Sequence, residues 1–129
     1  MKEGKIAVTS NQAPAAVGPY SQGVGAGGFL FLSGQIALDP ATGKMVGPDV
    51  ASQTRQILKN MSAVLSAAGL EFQHVVRTTV YLRDMGTFAG MNAVYAESFP
   101  IPAPARCTVA VSGLPKDALV EIDAIAWRG

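Results

Sequence analysis

Two charged residues stand where charge is least expected, each in or at the mouth of an apolar run. Arg106 lies near the start of Pro104-Ala105-Arg106-Cys107-Thr108-Val109-Ala110-Val111, and fifteen residues later Glu121 is embedded in Val120-Glu121-Ile122-Asp123-Ala124-Ile125-Ala126-Trp127. Arginine presents a planar fork of donors that matches a carboxylate through two parallel hydrogen bonds, so a small carboxylic acid is the natural guest at Arg106. Pro100, Pro102 and Pro104 stiffen the approach and restrict where the guanidinium points. A strand-end arginine also pairs readily with a surface carboxylate, and residue type alone leaves both readings open. Glu121, in the company of Val120, Ile122 and Ile125, reads as a poised carboxylate able to orient a water, against the commoner fate of a solvent-facing strand glutamate. Asp123 has the same parity along the strand and competes for that role.

Four other polar positions join the candidates. Tyr20 follows a Gly-Pro turn in Gly18-Pro19-Tyr20-Ser21-Gln22, which either presents its ring to a ligand or tucks it into the core. Ser33-Gly34-Gln35 ends an apolar run, and Gly34 there either brings backbone close to a substrate or marks a simple bulge. Asn92, one helical turn from Phe88, needs hydrogen-bond partners if buried, from a ligand or from a neighbouring backbone group. Cys107 should face away from Arg106 on a regular strand and reads as small core filler, with no adjacent histidine to activate it. His74 reads as structural.

The elements that must hold these residues follow from apolar periodicity. Residues 5–9 and 18–36 read as short strands, the second group broken by Gly23, Gly25, Gly27 and Gly28 into a hairpin around Phe29-Leu30-Phe31-Leu32. Asp49 stands at an N-cap position, and Val50, Thr54, Ile57, Leu58, Met61, Val64, Leu65 and Ala68 recur at helical spacing before Gly69, with Gln53, Arg55, Lys59 and Asn60 largely on other faces. The β-branched stretch 74–82 reads as a strand, with Val76, Thr78, Val80 and Leu82 on one face and Val75, Arg77, Thr79, Tyr81 and Arg83 on the other. A second helix is expected over about 87–99, then strands from near Arg106 and over 119–127.

Composition bounds the function classes. The 129 residues are 49% apolar and suit a single domain over 1–129. Ten basic residues against nine acidic, without a Lys/Arg cluster, do not make nucleic acid the default partner. No segment approaches the length of apolar chain that spans a bilayer, and the expectation is a soluble cytoplasmic protein. One cysteine and one histidine leave neither an internal disulfide nor the usual Cys/His metal cluster. Two helices cover only one face of a mixed sheet in an α+β domain, yet apolar residues occur on both strand faces, so a closed homo-oligomer with clefts between subunits is expected.

Ala13-Pro14-Ala15-Ala16-Val17-Gly18-Pro19-Tyr20-Ser21-Gln22-Gly23, Ser33-Gly34-Gln35, and the blocks from Pro104-Ala105-Arg106 to Val120-Glu121-Ile122 closely resemble the RidA family, also called YjgF, of enamine/imine deaminases. So do Ala67-Ala68-Gly69-Leu70 and Leu114-Pro115-Lys116-Asp117. The resemblance implies a two-layer, chorismate-mutase-like α+β fold, with a mixed six-stranded sheet, two helices on one face, and the last strand inside the sheet. It further implies a homotrimer with sites between subunits. The implied activity is that of a hydrolase acting on C=N bonds, a 2-iminobutanoate/2-iminopropanoate deaminase that converts 2-aminoacrylate-type enamines and imines to 2-oxo acids and ammonia. No cofactor is implied. Carried over by position, Arg106 clamps the substrate carboxylate and Glu121 positions or activates water. Tyr20, Ser33 and Asn92 line the pocket, and Gly34 makes a backbone contact. Many relatives carry cysteine two residues after the arginine; here Thr108 takes that substrate-binding place, and the family's contact there runs through backbone. The resemblance also admits a 2-oxo-acid-binding regulator without turnover, a pathway-specific deaminase, or an endoribonuclease.

Overall fold

The computed structural model describes residues 4–129. Its elements run β1 (Ile6–Val8), β2 (Gly23–Ala26), β3 (Phe29–Gln35), α1 (Val50–Ala67), β4 (Val75–Leu82), α2 (Phe88–Tyr95), β5 (Ala105–Ala110) and β6 (Val120–Trp127). The six strands form one mixed sheet in the order β1-β2-β3-β6-β4-β5, with β4 and β5 parallel and every other pair antiparallel. Both helices lie on one face, giving two layers.

Local chemistry accounts for the elements. The β2–β3 hairpin turns through Gly27 and Gly28, both at positive φ (55° and 85°), a two-residue turn that only glycine enters without strain. Residues 18–22, expected to be extended, form a loop instead. Asp49 caps α1 by accepting from the Ser52 amide at 2.8 Å. The helix closes as expected with Gly69 at φ 75° and Leu70 N donating to Leu65 O at 2.9 Å, which satisfies a terminal carbonyl and buries Leu70.

The core is a single apolar layer between α1, α2 and the sheet, built on Ile57, Met61, Val64 and Leu65 against Leu30, Val80, Leu82, Val120 and Ile122. Gln53 and Asn60 depart from the periodicity reading, since both are buried. Asn60 Nδ2 donates to Leu38 O at 2.9 Å, while Gln53 donates to Gly47 O at 3.1 Å and accepts from Leu119 N at 2.9 Å. Each thereby satisfies loop backbone that apolar side chains would leave unpaired.

Three boundaries or faces also differ. A register shift between Val75 and Arg77 inverts the start of β4, so Val75 is buried and Val76 exposed, the reverse of strict alternation. The second helix ends at Tyr95 rather than near 99, because Glu97 and Ser98 donate to Val94 O and Tyr95 O three residues back and tighten the chain out of α geometry. Cys107 does face away from Arg106, but it is exposed on the uncovered sheet face rather than filling the core. His74 is structural, its Nδ1 accepting from Glu71 N at 2.9 Å.

The uncovered face carries Phe29, Phe31 and Trp127, each more than two-fifths exposed, with the two phenyl rings 6.2 Å apart. Toward the β4 and β5 side it turns polar, through Glu121, Asp123, Tyr81, Thr79 and Cys107. No helix among the described residues is long and apolar enough to cross a membrane.

Candidate active site

Arg106 lies on the edge strand β5, in register with Thr78 of β4, and so projects to the helix-covered face. There α2 receives it. Asn92 Oδ1 accepts from Arg106 Nη1 at 2.7 Å, and Arg106 Cζ stands 4.8 Å from the Tyr95 ring centroid and 5.4 Å from that of Phe88. Phe88, Asn92 and Tyr95 recur every three or four residues, so one stripe of α2 builds the whole cradle. Thr78 Oγ1 and Tyr95 Oη share a 2.7 Å hydrogen bond that fixes the ring. Burial raises the Tyr95 phenol, while that bond and the nearby guanidinium act the other way, and the ring presents a neutral π-face to the cation. The partner of Arg106 is a neutral amide, so its charge and remaining donors stay free for an anion. They border a cavity of about 460 Å³ with Asn92, Tyr95, Phe99 and Pro104.

Thr108 projects to the same side as Arg106, in register with Val80. Its Oγ1 is buried without a hydrogen-bond partner among the described residues.

Glu121 belongs to a different cluster. It begins the open-face parity of β6, opposite Tyr81 of β4, and lines a cavity of about 580 Å³ with Tyr20, Ser33, Gly34, Gln35 and Lys116. Between Leu32 and Gln35 the β3–β6 register slips by one residue, and the bulge holds Ser33 and Gly34. Ser33 is tied down twice: its amide donates to Gln22 O at 3.0 Å and its hydroxyl to Ser21 O at 2.5 Å. Those bonds draw the loop carrying Tyr20, whose ring is half exposed, to the cavity wall. Gly34 lies directly under the carboxylate; a Cβ built there would fall 2.9 Å from Glu121 Cδ and closer still to Oε2. The bulge and the close approach are therefore the same feature. Burial, then the neighbouring Asp123 charge, pushes the Glu121 carboxyl above its ordinary value. Asp123, its competitor on the strand, is engaged elsewhere, accepting from Tyr81 Oη at 3.0 Å.

Gly34→Ala should evict the Glu121 carboxylate without unfolding the chain, because the colliding atoms are the free end of a side chain. If Glu121 is a catalytic base, a roughly 10²-fold loss of kcat follows, since small misplacements of a reacting group cost about that much, with Tm nearly unchanged. Retained turnover would remove Glu121 from that role.

The sequence-derived residues thus separate into two groups: Arg106, Asn92 and Thr108 on the helix side, and Tyr20, Ser33, Gly34 and Glu121 around the other cavity. Arg106 and Glu121 are on non-adjacent strands and opposite faces, with β4 between them. Residue-type reasoning set Asn92 beside Phe88 on the second helix and missed that Phe88 and Tyr95 hold the guanidinium. Their spacing with Asn92 was the available signal. Lys116, which lines the Glu121 cavity from a turn at φ 56°, was not anticipated. No group of three or more His, Cys, Asp or Glu side chains suited to a metal ion occurs among the described residues.

Comparison with known proteins gives concordant results. The family described as Endoribonuclease L-PSP matches residues 10–128. A RutC family protein of Pyrococcus horikoshii is 52% identical over 124 residues, covering 96% of this chain and 98% of the relative. The Arabidopsis thaliana protein named Reactive Intermediate Deaminase A, chloroplastic, is 48% identical over 122 residues, 95% of this chain and 65% of the relative. The crystal structure of E. coli TdcF with bound serine superposes with a TM-score of 0.89 at 39% identity, covering 96% of this chain and 99% of that one. With its two-layer α+β arrangement and near full-length matches at these identities, the chain belongs to the RidA (YjgF) family, that of the Endoribonuclease L-PSP description.

Proposed function

We propose that the protein hydrolyses small 2-imino acids and their enamine tautomers, of the 2-aminoacrylate/2-iminopropionate type, to 2-oxo acids and ammonia. The observation that carries this reading is Arg106, a guanidinium oriented by two aromatic rings and a neutral amide, with its charge left to an incoming carboxylate. A deaminase relative and a structural neighbour with bound serine, itself a small 2-amino acid, support the same substrate class.

The reaction asks for orientation and one mobile proton. The enamine tautomerises to the imine, and Arg106 holds its carboxylate while the water oxygen bonds to the imine carbon. The imine nitrogen takes a proton from solvent water and one proton of the attacking water passes to the Glu121 carboxylate, giving a carbinolamine. Glu121 then returns its proton to the nitrogen, the hydroxyl proton goes back to solvent water as the C–N bond breaks, and ammonia and the 2-oxo acid leave. A carboxyl raised above its ordinary value by burial is a better proton acceptor than a fully solvated one. Tyr20, Ser33 and Gly34 shape the wall around that water.

A single chain holds the two groups on opposite sheet faces, so the reading requires a second copy. In a cyclic homotrimer the uncovered face of one subunit, with Phe29, Phe31 and Trp127, would be buried against its neighbour, and the Arg106 edge of one copy would close the Glu121 cavity of the next. This assembly is part of the proposal.

The direct test supplies an enamine generated by a pyridoxal-phosphate-dependent dehydratase and times 2-oxo acid release. The expected result is release faster than the spontaneous reaction in proportion to added protein. Binding of a 2-oxo acid without acceleration would make the protein a sensor instead. The endoribonuclease description of the family supplies the other reading, yet Glu121 and Lys116 are the charged groups lining the larger candidate cavity and make no basic track for phosphates.

A further inference from the structure

The uncovered sheet face holds a second carboxylate and a phenol that the reaction above does not use. Asp123 follows Glu121 by two residues on the same face of β6, a separation of about 7 Å along a strand. Tyr81, directly opposite Glu121 in the β4–β6 register, does not turn its hydroxyl to that glutamate but donates to Asp123 Oδ2 at 3.0 Å. The hydrogen bond therefore runs diagonally across the ladder. It fixes Asp123 as an acceptor and leaves the Glu121 carboxylate free over Gly34. A tyrosine that bonded Glu121 instead would stabilise its anion and weaken it as a base.

We propose that Tyr81 and Asp123 form a positioning pair for Glu121: the phenol holds Asp123 beside it as a fixed negative charge, which keeps Glu121 a strong proton acceptor for the attacking water. The inference rests on the reading of Glu121 given above and adds the residues that tune it. The other groups facing Glu121 are consistent with this division. Gly34 and Ser33 on β3 carry no charge, Tyr20 lines the wall as a phenol, Lys116 is the cation that this chain places in the same cavity, and in the proposed trimer Arg106 of the neighbouring copy adds a second. The Asp123 charge is the second cause, after burial, of the upward displacement of the Glu121 carboxyl. The same hydrogen bond raises the Tyr81 phenol, so Tyr81 remains the donor at neutral pH.

The experiment follows Glu121 in two independent ways, through the side-chain carboxyl carbon signal of Glu121 against pH and through the acidic limb of the kcat–pH profile. Both are measured on the intact protein and on Asp123→Asn, Asp123→Glu and Tyr81→Phe. Asp123→Asn should lower the Glu121 midpoint by roughly half a unit to two units, the effect of removing a charge about 7 Å away between the bulk-water and protein-surface dielectric limits, and should move the kcat limb equally. Asp123→Glu should restore both. Tyr81→Phe, which frees the aspartate, should give a smaller displacement in the same direction. An unchanged carbon titration in Asp123→Asn overturns the pair. If the carbon titration moves while the kcat limb stays fixed, the pair is coupled as described but the proton-acceptor role of Glu121 is refuted.

Discussion

Arg106→Ala lowers kcat/KM for 2-iminopropionate roughly 10²- to 10³-fold in the expected result, with the fold intact, because removing one partner of a charge-assisted pair costs a few kcal/mol. The structure explains why stability should survive. Arg106 is exposed at the sheet edge, and its bond to Asn92 and its stacking on Tyr95 and Phe88 are surface contacts, the stacking being worth about 0.5–1 kcal/mol at such a site. Arg106→Lys should recover only part of the loss, since an ammonium retains the charge but not the planar fork. An alanine variant with near wild-type kcat/KM would remove the carboxylate clamp from the mechanism.

Glu121→Gln should cost roughly 10² to 10⁴ in kcat, the range for losing a general base, while a non-reactive 2-oxo acid binds almost as well as before. It should also change stability in the opposite direction. The folded-state carboxyl is raised, so the native protein binds that proton more tightly than the unfolded chain does, and ionising Glu121 destabilises the fold. That penalty is absent below the ordinary glutamate range, grows as pH rises through the raised value, and is complete above it. The glutamine variant should therefore melt above wild type at neutral pH, with the difference vanishing in acid. The gain should be small, since the carboxyl is only half buried and solvent screens it. Equal melting at all pH values, or equal loss of binding and turnover, would count against a poised base.

The two variants together test the shared site. If Arg106 and Glu121 of one site come from neighbouring subunits, mixing the dissociated variants in equal amounts should regenerate about one quarter of the sites, because half of the sites draw an intact Arg106 and, independently, half draw an intact Glu121. Sites contained within one chain would stay inactive after mixing.

Much of this layout is legible in the sequence. Asp49 and Gly69 bracket α1 as the capping rules require, and the Gly27-Gly28 hairpin forms because those positions demand positive φ. Asn92 borders the Phe88 side of its helix as its spacing implied, and the structure adds that Arg106 is what it meets. The misreadings share one cause. Gln53 and Asn60 look solvent-facing by residue type, but distant loop backbone gives them partners in the core. Val75 and Val76 exchange faces because a bulge shifts parity, and a bulge arises from how two strands meet. Cys107 looks like core filler because its strand is apolar, although β5 is the sheet edge and that face is uncovered.

By itself the sequence determined the run of elements and the apolar faces of the helices, and it offered Arg106, Glu121 and Asp123 as candidates for the chemistry without separating the two carboxylates. Each of those depends on spacing within one segment and on what a side chain is able to do. Only the tertiary structure decided that β6 enters between β3 and β4, which puts Glu121 over Gly34, turns Tyr81 toward Asp123 and leaves Arg106 with α2 on the opposite face. Alternation along a strand says which residues share a face, but the neighbour each face meets is chosen by contacts between segments far apart in the chain.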